Sequence, residues 1–547
     1  MGAQRLIEAR AWRVVSGSRE FGFPFRFREK HHKSHLCIRG DGAGGRSPPS
    51  VRATDGTARR MVSPPNATTA RDASDPSSLR RTSREDLVNL AVGHPAELPS
   101  EVMASALVDT AERLRDAGVE GDSARQELNY VARWGSPTTL DAVASFLTEQ
   151  YMFGAEPSDT SEEKTMREVR PGSLMITNGV SHGIDLACAQ LTRPGEVVVV
   201  ELPTYFLAAD VFKDNGLRVV GLEGTAQGTG DDGKPDGTPG YFDVGALERA
   251  LEGGLRPRLV YLVPTHSNPR GGTLPTRDRT RLVELAVQYD FFVIADEVYH
   301  LLHWNEQPPP PRMCEVERTV LADKGLYGWD DEGAKKGKAA AAWEVRRSDD
   351  VYADEIQSNS PEAVSSARVV SVSSFTKILA PGLRVGWIEA ARSIVDAVSD
   401  RGYVNSGGCV APFAASIVVS AIENGSQVEW LRWLRDGYRE TSRALHDAAV
   451  KEAASTGWKV SPSPPSGGYF LWLELPEWCD ESAVLKAAED AGVAYLPGGR
   501  CVPRGCESRD GARVDRSCRL CFAYLDEEKI VEGVRRLATA VRASKEG

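Results

Sequence analysis

From Leu87 onward, short runs of β-branched residues alternate with amphipathic helical stretches, and this alternation constrains the fold more than any other feature. The strand-like runs are Glu196–Val200, Arg218–Leu222, Arg258–Val263, Phe291–Ala295 and Val369–Val372. The helical patterns are Ser100–Leu114, Thr139–Tyr151, Ser181–Gln190 and Arg277–Tyr289. Buried strands that alternate with helices predict an α/β fold, with a mostly parallel central sheet covered by helices on both faces.

The order of the patterns changes after Pro412. Two long helical patterns, Ala414–Asn424 and Glu429–Ala454, come first, and strand-like runs at Gly468–Leu475 and Ser517–Ala523 follow. This order predicts a second, smaller α+β domain.

Residues 1–85 differ in composition from the rest of the chain. They mix Arg, Ser, Gly and Pro with little periodicity, which predicts a disordered basic tail. The first part of this tail is rich in Arg and poor in acidic residues, so a transit peptide and an ordinary tail both remain open. We therefore expect the protein in the cytoplasm or, if the tail is a transit peptide, in a mitochondrion or plastid.

Net charge and hydropathy exclude two classes of partner. The net charge is −11 although the tail is basic, so the body of the protein is acidic and repels phosphate backbones. No apolar run reaches the roughly 18 to 20 residues that a membrane span needs. We expect neither nucleic acid nor a membrane as a partner.

Residues 305–366 interrupt the alternation. They contain Pro308–Pro311, the run Lys335–Ala342 and a charged stretch around Asp349. A loop of this length inside a compact domain is either functional or disordered. We expect a disordered surface insertion.

Polar residues that directly follow strand-like runs are candidate site residues, because ligands of open α/β sheets bind beyond the carboxyl ends of the strands. Five places stand out: the Gly-rich turn Thr177–Gly183, Val263–Gly271, Phe291–Tyr299, Ser373–Arg384, and Arg519 in a late strand. The first opens a helix, where free N–H groups can bind an anion. Asp296 follows an apolar strand, where an unpaired charge would be costly, so it should have a partner.

Three motifs occur together in this region. They are Asn268-Pro269-Arg270-Gly271, Asp296-Glu297-Val298-Tyr299, and Ser374-Phe375-Thr376-Lys377 followed by Gly382-Leu383-Arg384-Val385-Gly386. In this order they resemble the class I/II aminotransferases of fold type I, which use pyridoxal 5'-phosphate (PLP). The resemblance runs from about Leu87 to Leu537, interrupted by the insertion. It implies a small domain formed by residues 86–115 and 421–547, and a large PLP-binding domain at 116–420 that carries the 305–366 insertion.

The resemblance implies roles around the cofactor ring. Lys377 is expected to form the Schiff base with PLP and then to move a proton between the substrate Cα and the cofactor. Asp296 is expected to pair with the pyridine nitrogen and keep it protonated. Asn268 and Tyr299 are expected to hydrogen-bond the phenolic oxygen, and Tyr205 to stack on the ring.

The resemblance also implies sites for the phosphate and for the substrate. The phosphate site would consist of Gly179, Val180, Ser181, Ser374 and Arg384. Tyr130 would reach the phosphate of a neighbouring subunit, since this family builds its active sites at the interface of a homodimer. Arg519 would bind the substrate α-carboxylate in a two-pronged ion pair. Gly93 and Asn268 would line the substrate pocket.

A cluster of cysteines offers a competing interpretation. Cys501, Cys506, Cys518 and Cys521 could suggest zinc, in a region where residues 500–516 resemble a further insertion. However, Cys518 and Cys521 are three apart in a strand and so face opposite sides. We therefore expect ordinary thiols and no metal.

The predicted activity is PLP-dependent transfer of the amino group of an α-amino acid to a 2-oxo acid, 2-oxoglutarate or pyruvate, by a ping-pong mechanism. The sequence of residues 178–183 and 203–208 is similar to that of the branch that contains the 2-aminoadipate, valine-pyruvate and kynurenine aminotransferases. A PLP-dependent β-lyase acting on C–S bonds is the alternative, because it shares the Cα deprotonation step. A PLP-binding regulatory protein is more remote, since residues 1–85 show no helix-turn-helix pattern.

Overall fold

The computed structural model describes residues 86–95, 98–120, 127–152, 160–326, 329, 365–407, 411–506, 514 and 516–545. The chain divides into two units, Met1–Arg71 and Asp72–Gly547, and every described residue belongs to the second. The predicted tail at 1–85 lies outside the described residues.

Strands and helices alternate along much of the described chain. The strands are β1 (Val88–Asn89), β2 (Leu174–Thr177), β3 (Val197–Leu202), β4 (Arg218–Glu223), β5 (Gln227–Thr229), β6 (Pro235–Pro239), β7 (Leu259–Leu262), β8 (Phe292–Asp296), β9 (Val369–Ser374), β10 (Gly386–Ala390), β11 (Lys459–Val460), β12 (Phe470–Glu474), β13 (Val493–Ala494), β14 (Leu496–Pro497) and β15 (Ser517–Cys521). The helices are α1 (Ser100–Glu120), α2 (Pro137–Met152), α3 (Ser161–Arg167), α4 (Val180–Leu191), α5 (Phe206–Asp214), α6 (Val244–Glu252), α7 (Thr276–Tyr289), α8 (Met313–Asp323), α9 (Arg392–Ser399), α10 (Gly402–Asn405), α11 (Pro412–Glu423), α12 (Ser426–Thr456), α13 (Glu481–Asp490) and α14 (Glu527–Ala543). Short 3₁₀ turns lie at Pro171–Ser173, Pro381–Leu383 and Gly498–Cys501.

The central sheet has seven strands in the order β2-β10-β9-β8-β7-β3-β4. Neighbouring strands from β9 to β4 are parallel, and β10 alone runs antiparallel to both its neighbours. Strands β7, β8 and β9 are buried at every position, which explains the near-continuous apolar sequences of β7 and β8. The predicted mostly parallel α/β sheet is confirmed.

The antiparallel strand β10 brings three predicted site segments together. Its first residue, Gly386, lies opposite both Thr177 at the end of β2 and Ser374 at the end of β9. A Cβ atom on Gly386 would come within 2.6 Å of the Ser373 carbonyl oxygen and 2.8 Å of the Gly179 Cα. Only glycine permits this approach, so the Gly-rich turn and the Ser374 loop share one edge of the sheet.

The C-terminal part of the chain forms a second sheet. It has four antiparallel strands in the order β11-β12-β15-β14. Strand β1 pairs in parallel with β13, with Val88 opposite Val493, so the first described residues join this C-terminal part. The α+β order predicted after Pro412 agrees with this arrangement, while the exact domain boundaries stay a prediction.

The predicted extent of the disordered insertion is wrong at its start. Residues 313–323 form helix α8, whose buried residues include Met313, Val316, Val320 and Leu321. These apolar residues recur at the spacing of one helix face, so the segment has a side that packs on the core. Most of the remaining insertion, residues 330–364, lies outside the described residues.

Within the part of the chain that the structure describes, no helix is both long and apolar enough to cross a membrane.

Candidate active site

A cavity of about 600 Å³ lies at the carboxyl ends of the central strands. It is bounded by loops that follow β3, β7, β8 and β9 and by residues of the four-stranded sheet. Its lining includes the predicted residues Gly93, Val180, Ser181, Tyr205, Asn268, Asp296, Tyr299, Ser374, Lys377, Arg384 and Arg519. The structure therefore brings together most of the site that the motifs predict.

Asp296, the last residue of β8, is a buried carboxylate at the base of this cavity, with 3 % of its surface exposed. The Tyr261 hydroxyl donates to Oδ2 at 2.9 Å, and the Val298 N–H donates to Oδ1 at 3.4 Å. Burial nevertheless raises the pKa of Asp296 to about 6, because these two hydrogen bonds only partly offset the loss of solvation. Among the described residues Asp296 forms no ion pair, so a cationic N–H group of a ligand would suit it.

Lys377 lies three residues beyond Ser374, the last residue of β9. Its Nζ donates to the Gly93 carbonyl oxygen at 2.6 Å and lies 5.2 Å from the centre of the Tyr469 ring. Burial lowers the pKa of Lys377 to about 8. An amine with such a pKa has a useful neutral, nucleophilic fraction near physiological pH, which an aldehyde cofactor requires.

The Gly-rich turn and Arg384 form a site for an anion. Gly179 is the N-cap of α4 with φ of 85°, and as a glycine it offers no side chain to cap the first N–H groups of this helix. Arg384 donates from Nη2 to the Asn178 carbonyl at 3.0 Å and from Nη1 to Thr376 Oγ1 at 3.4 Å. A Cβ atom on Gly179 would lie 2.6 Å from Arg384 Nη2. The helix N-terminus and the guanidinium fit a phosphate group.

Arg519 is a buried arginine of β15, with 5 % of its surface exposed. It donates from Nη1 to Asn268 Oδ1 and from Nη2 to the Ala91 carbonyl, both at 2.9 Å. Its Nε finds no acceptor among the described residues. Because a buried cation needs an anionic partner, the guanidinium fits a carboxylate ligand. A Cβ atom on Gly93 would lie 3.2 Å from Phe470 Cζ, which is a tight contact, and 3.5 Å from Arg519 Nη2, which is an ordinary one.

Two tyrosines of the cavity keep their protons. Burial raises the pKa of Tyr299 well above its ordinary value and that of Tyr205 to about 12. Both hydroxyl groups can therefore donate hydrogen bonds at any physiological pH.

Tyr130 does not line this cavity. Its side chain is 83 % exposed and lies against Gly407, whose Cβ, if present, would be 2.7 Å from the tyrosine ring. Its predicted contact with a second subunit stays a prediction.

Sequence reasoning missed Tyr261 and Thr376 and gave His94 no role, although Thr376 and His94 line the cavity. Tyr261 lies in the middle of an apolar strand and resembles a core residue there. The available signal was its hydroxyl, since a buried Tyr usually needs a polar partner. The ring of His94 packs edge-on against Tyr524 with centroids 4.8 Å apart.

The cysteines near the cavity are thiols. Cys501, Cys518 and Cys521 are buried, and burial raises the pKa of each. Among the described residues, no group of three or more His, Cys, Asp or Glu side chains could hold a metal ion.

Comparison with known proteins agrees with this geometry. The mostly parallel sheet, whose carboxyl edge holds the half-buried Lys377, the buried Asp296 and an anion site, has the fold of the fold type I PLP-dependent enzymes. Residues 85–537 match the family described as aminotransferase class I and II, and the chain belongs to this family.

Relatives with printed names extend the comparison. The chain is 27 % identical over 470 residues to aromatic-amino-acid aminotransferase 1 of Thermococcus litoralis, covering 85 % of this chain and 90 % of that protein. It is 27 % identical over 378 residues to 2-aminoadipate transaminase of Thermus thermophilus, covering 68 % and 76 %.

Solved structures are similar in fold as well as in sequence. The kynurenine aminotransferase of Pyrococcus horikoshii, in complex with PMP, has a TM-score of 0.60 and 25 % identity, covering 84 % of this chain and 92 % of that one. The α-aminoadipate aminotransferase of Thermus thermophilus, complexed with N-(5'-phosphopyridoxyl)-L-leucine, has a TM-score of 0.59 and 25 % identity, covering 85 % and 94 %. These relatives and the geometry indicate that the cofactor is pyridoxal phosphate.

Proposed function

We propose that this PLP-dependent aminotransferase carries out a ping-pong exchange, in which an α-amino acid gives its amino group to the cofactor and a 2-oxo acid then takes it up. The observation that supports this proposal is one cavity that holds Lys377, Asp296 and Arg519. When bound, PLP supplies the electron sink for charge that develops at the substrate Cα. The protein supplies position, electrostatics and proton transfer.

Lys377 is the proposed catalytic base. Its side chain is half-buried, its pKa is lowered to about 8, and its amine lies beside the carbonyl of Gly93, a residue that lines the cavity. In its neutral form it can take a proton from the substrate Cα and deliver it to a carbon of the cofactor. The low pKa keeps a useful fraction of the amine neutral at pH 7.

Asp296, Asn268 and Tyr299 are proposed to tune the cofactor ring. The Asp296 carboxylate would hold the proton on the pyridine nitrogen, and the Tyr261 hydrogen bond fixes its orientation. Asn268 and Tyr299 would hydrogen-bond the phenolic oxygen. Tyr205 would stack on the ring, since it lines the same cavity.

The phosphate would lie at the N-terminus of α4, between Gly179, Val180, Ser181, Ser374 and Arg384. We further propose a homodimer in which Tyr130 of one protomer reaches the phosphate of the other. Tyr130 is 83 % exposed, so its ring is accessible to a second protomer, and this supports the proposal.

Arg519 is proposed to bind the substrate α-carboxylate. Its hydrogen bond to Asn268 connects the substrate site to the cofactor site, and Gly93 leaves room for the substrate beside it. The acceptor would be 2-oxoglutarate or pyruvate. The proposed compartment is the cytoplasm or, if residues 1–85 act as a transit peptide, a mitochondrion or plastid.

A screen of amino donors against 2-oxoglutarate and pyruvate tests this proposal. We expect formation of glutamate or alanine together with the 2-oxo acid of the donor, and no free ammonia. Lys377→Ala should lower kcat by about 10²- to 10⁴-fold, while the exposed Lys324→Ala, a matched control, should leave kcat unchanged. Release of ammonia and pyruvate would instead identify a β-lyase, and PLP binding without turnover would favour a regulatory protein.

A further inference from the structure

A second cavity, of about 360 Å³, is separate from the active-site cavity. No residue that the structure describes lines both cavities. The walls of the second cavity are residues of the segment 300–312, the end of helix α2 at Gln150 and Tyr151, and one face of helix α12. Pockets that bind small molecules have volumes of about 300 to 1,000 Å³. The second cavity is therefore large enough for a small organic ligand.

Two arginines of α12 fasten the segment 300–312 to the helix. Arg435 Nε donates to the Leu301 carbonyl oxygen at 2.7 Å. Arg439 Nη2 donates to the Trp304 carbonyl oxygen at 3.0 Å. The consecutive prolines Pro308–Pro311 add a stretch of wall whose backbone has little freedom. This side of the second cavity is therefore largely pre-formed.

Helix α12 contributes three arginines to the lining, Arg432, Arg435 and Arg439. Their spacing of three and four residues places them on one face of the helix. Arg439 has a carboxylate partner, because its Nη1 lies 3.4 Å from Asp436 Oδ1. Arg432 and Arg435 form no ion pair with any residue that the structure describes. Two positive charges on this face are therefore available to a ligand.

The charge of Arg435 is poorly compensated within the protein. Its side chain is half-buried, and burial together with the positive charge of Arg432 lowers its pKa to about 10, although Asp436 opposes this shift. The two guanidinium groups are thus close enough to repel each other. An anion that contacts both would replace this repulsion by attraction.

The other charged groups of the lining do not remove this excess of positive charge. Arg312 forms a buried ion pair with Glu389. Glu315 Oε1 lies 3.4 Å from Arg167 Nε, so its charge is also matched. Glu306 is exposed, and water therefore solvates its carboxylate. The second cavity thus favours an anionic ligand.

A phosphate group matches two neighbouring guanidinium groups better than a carboxylate does. A phosphate monoester carries a charge of about −1.5 to −2 near pH 7 and three strong acceptor oxygens, so it can bind both arginines at once. A carboxylate carries a single charge. Trp304 and Pro308–Pro311 make other parts of the lining apolar, which suits an organic group attached to the phosphate.

We propose that the second cavity is a binding site for a small organic phosphate monoester, whose phosphate group binds Arg432 and Arg435. This site is separate from the proposed site for the phosphate of PLP, and the inference does not depend on the proposed aminotransferase function.

Isothermal titration calorimetry of the holoenzyme tests this proposal, with phenyl phosphate and inorganic phosphate as probes. PLP fills the proposed cofactor phosphate site in the holoenzyme, so the probes are kept out of it. We expect phenyl phosphate to bind with a Kd of about 1 mM or lower. It should bind more tightly than inorganic phosphate, because the apolar part of the lining accommodates its ring.

Two variants locate the bound phosphate. Arg432→Gln should weaken the binding of phenyl phosphate by about 10-fold or more, the loss expected for a charge-assisted hydrogen bond. Arg432 is exposed and has no hydrogen bond to lose among the described residues, so this variant should fold normally. Arg435→Gln should weaken binding similarly, and its cofactor absorption band reports whether the fold is intact.

Lys451→Gln is the matched control. It removes one positive charge from an exposed position of α12 outside the second cavity, so the Kd for phenyl phosphate should stay unchanged. Absence of phenyl phosphate binding at about 10 mM, an unaltered Kd in both arginine variants, or equal weakening by Lys451→Gln would overturn the proposed site. Inorganic phosphate that binds as tightly as phenyl phosphate would overturn the organic ligand. These measurements do not involve turnover, so none of the outcomes bears on the proposed aminotransferase function.

Discussion

The Tyr261 hydroxyl donates a hydrogen bond of 2.9 Å to Oδ2 of Asp296, and both side chains are buried. Tyr261 lies in the middle of β7 and Asp296 ends β8, the neighbouring parallel strand. The hydrogen bond stabilises the ionised carboxylate in a place where burial favours its protonated form. A core strand thus contributes directly to the electrostatics of the site.

Removal of this hydroxyl should weaken catalysis without removing it. Tyr261→Phe is expected to lower kcat/KM by about 10- to 100-fold, because a hydrogen bond to a charged group contributes about 1.5–3 kcal/mol. The physical reason is a further increase in the pKa of Asp296. Tyr289→Phe, on the last turn of α7, is the control and should retain full activity. Full activity in Tyr261→Phe would show that the hydrogen bond does not support the carboxylate.

Cofactor binding should weaken in acid. Burial raises the pKa of Asp296 to about 6 in the cofactor-free protein, so the carboxyl is protonated below that pH and cannot pair with a protonated pyridine nitrogen. We expect the Kd for PLP to rise as pH falls through about 6, by up to tenfold per pH unit. Fluorescence titration at a series of pH values measures this. In Asp296→Asn the binding should be weaker and its dependence on pH smaller, and an unaltered pH profile in this variant would assign the effect to another group.

The same pKa shift has a consequence for folding. Because the folded-state pKa of Asp296 lies above its ordinary value of 3.8, the folded cofactor-free protein binds a proton that the unfolded chain does not hold between about pH 4 and 6. The ionised carboxylate therefore opposes folding above pH 6, and bound PLP should reverse this effect.

Subunit complementation tests the role of Tyr130. Tyr130→Phe and Lys377→Ala homodimers should each bind PLP poorly or turn over slowly. If Tyr130 serves the neighbouring subunit, a mixed dimer of the two variants contains one site with both native residues, and about half of the wild-type activity per dimer should return after mixing. Tyr130 is exposed within its own chain and is therefore accessible to a second subunit. No recovery in a mixed dimer verified by mass spectrometry would place Tyr130 outside the composite site.

A pair of stacked histidines should make the fold sensitive to acid. His266 Nε2 and His303 Nδ1 are 2.9 Å apart, and His303 Nε2 donates to the Gln307 carbonyl oxygen at 2.7 Å. Since His303 uses its N–H on that carbonyl, His266 donates and His303 Nδ1 accepts in the neutral pair. Burial lowers the pKa of both residues, and that of His266 falls well below its ordinary value.

The sign of this effect follows from the lowered pKa values. The unfolded chain takes up protons below about pH 6.5 that the folded pair does not, so the free energy of unfolding should fall as pH decreases from there, by about 1.4 kcal/mol per pH unit for each such proton. Urea unfolding at several pH values measures the slope. His303→Phe keeps an aromatic ring in the stack and should reduce the slope of the unfolding free energy against pH. An identical slope in the variant would contradict the assignment to this pair.

The central strands and the principal motifs were predictable from the sequence. A strand such as β8 is buried at every position, so its apolar run and the polar Asp296 at its end are visible without a structure. Lys377 and Arg384 were predicted for the same reason, because each lies in a loop directly after or before a strand of the sheet.

The features that were not predicted depend on partners distant in sequence. Strand β10 contains Glu389 and helix α8 follows Arg312, and neither charged residue suggests a buried element on its own. In the structure the two side chains form a buried ion pair, and Arg318 lies 3.5 Å from the same carboxylate. Local patterns cannot indicate such a pair, since each partner is unfavourable in the core until the other is present.

The most direct test of the central claim is a single half-reaction of purified holoenzyme. An active amino donor is added without any 2-oxo acid, while cofactor absorption and the released 2-oxo acid are measured together. We expect the visible cofactor band to be lost while one 2-oxo acid is released per subunit without ammonia. An added 2-oxo acid should then restore the band. Lys377→Ala should show none of these changes at a comparable rate. Release of ammonia, or a band that no amino acid changes, would contradict the proposed transfer of an amino group.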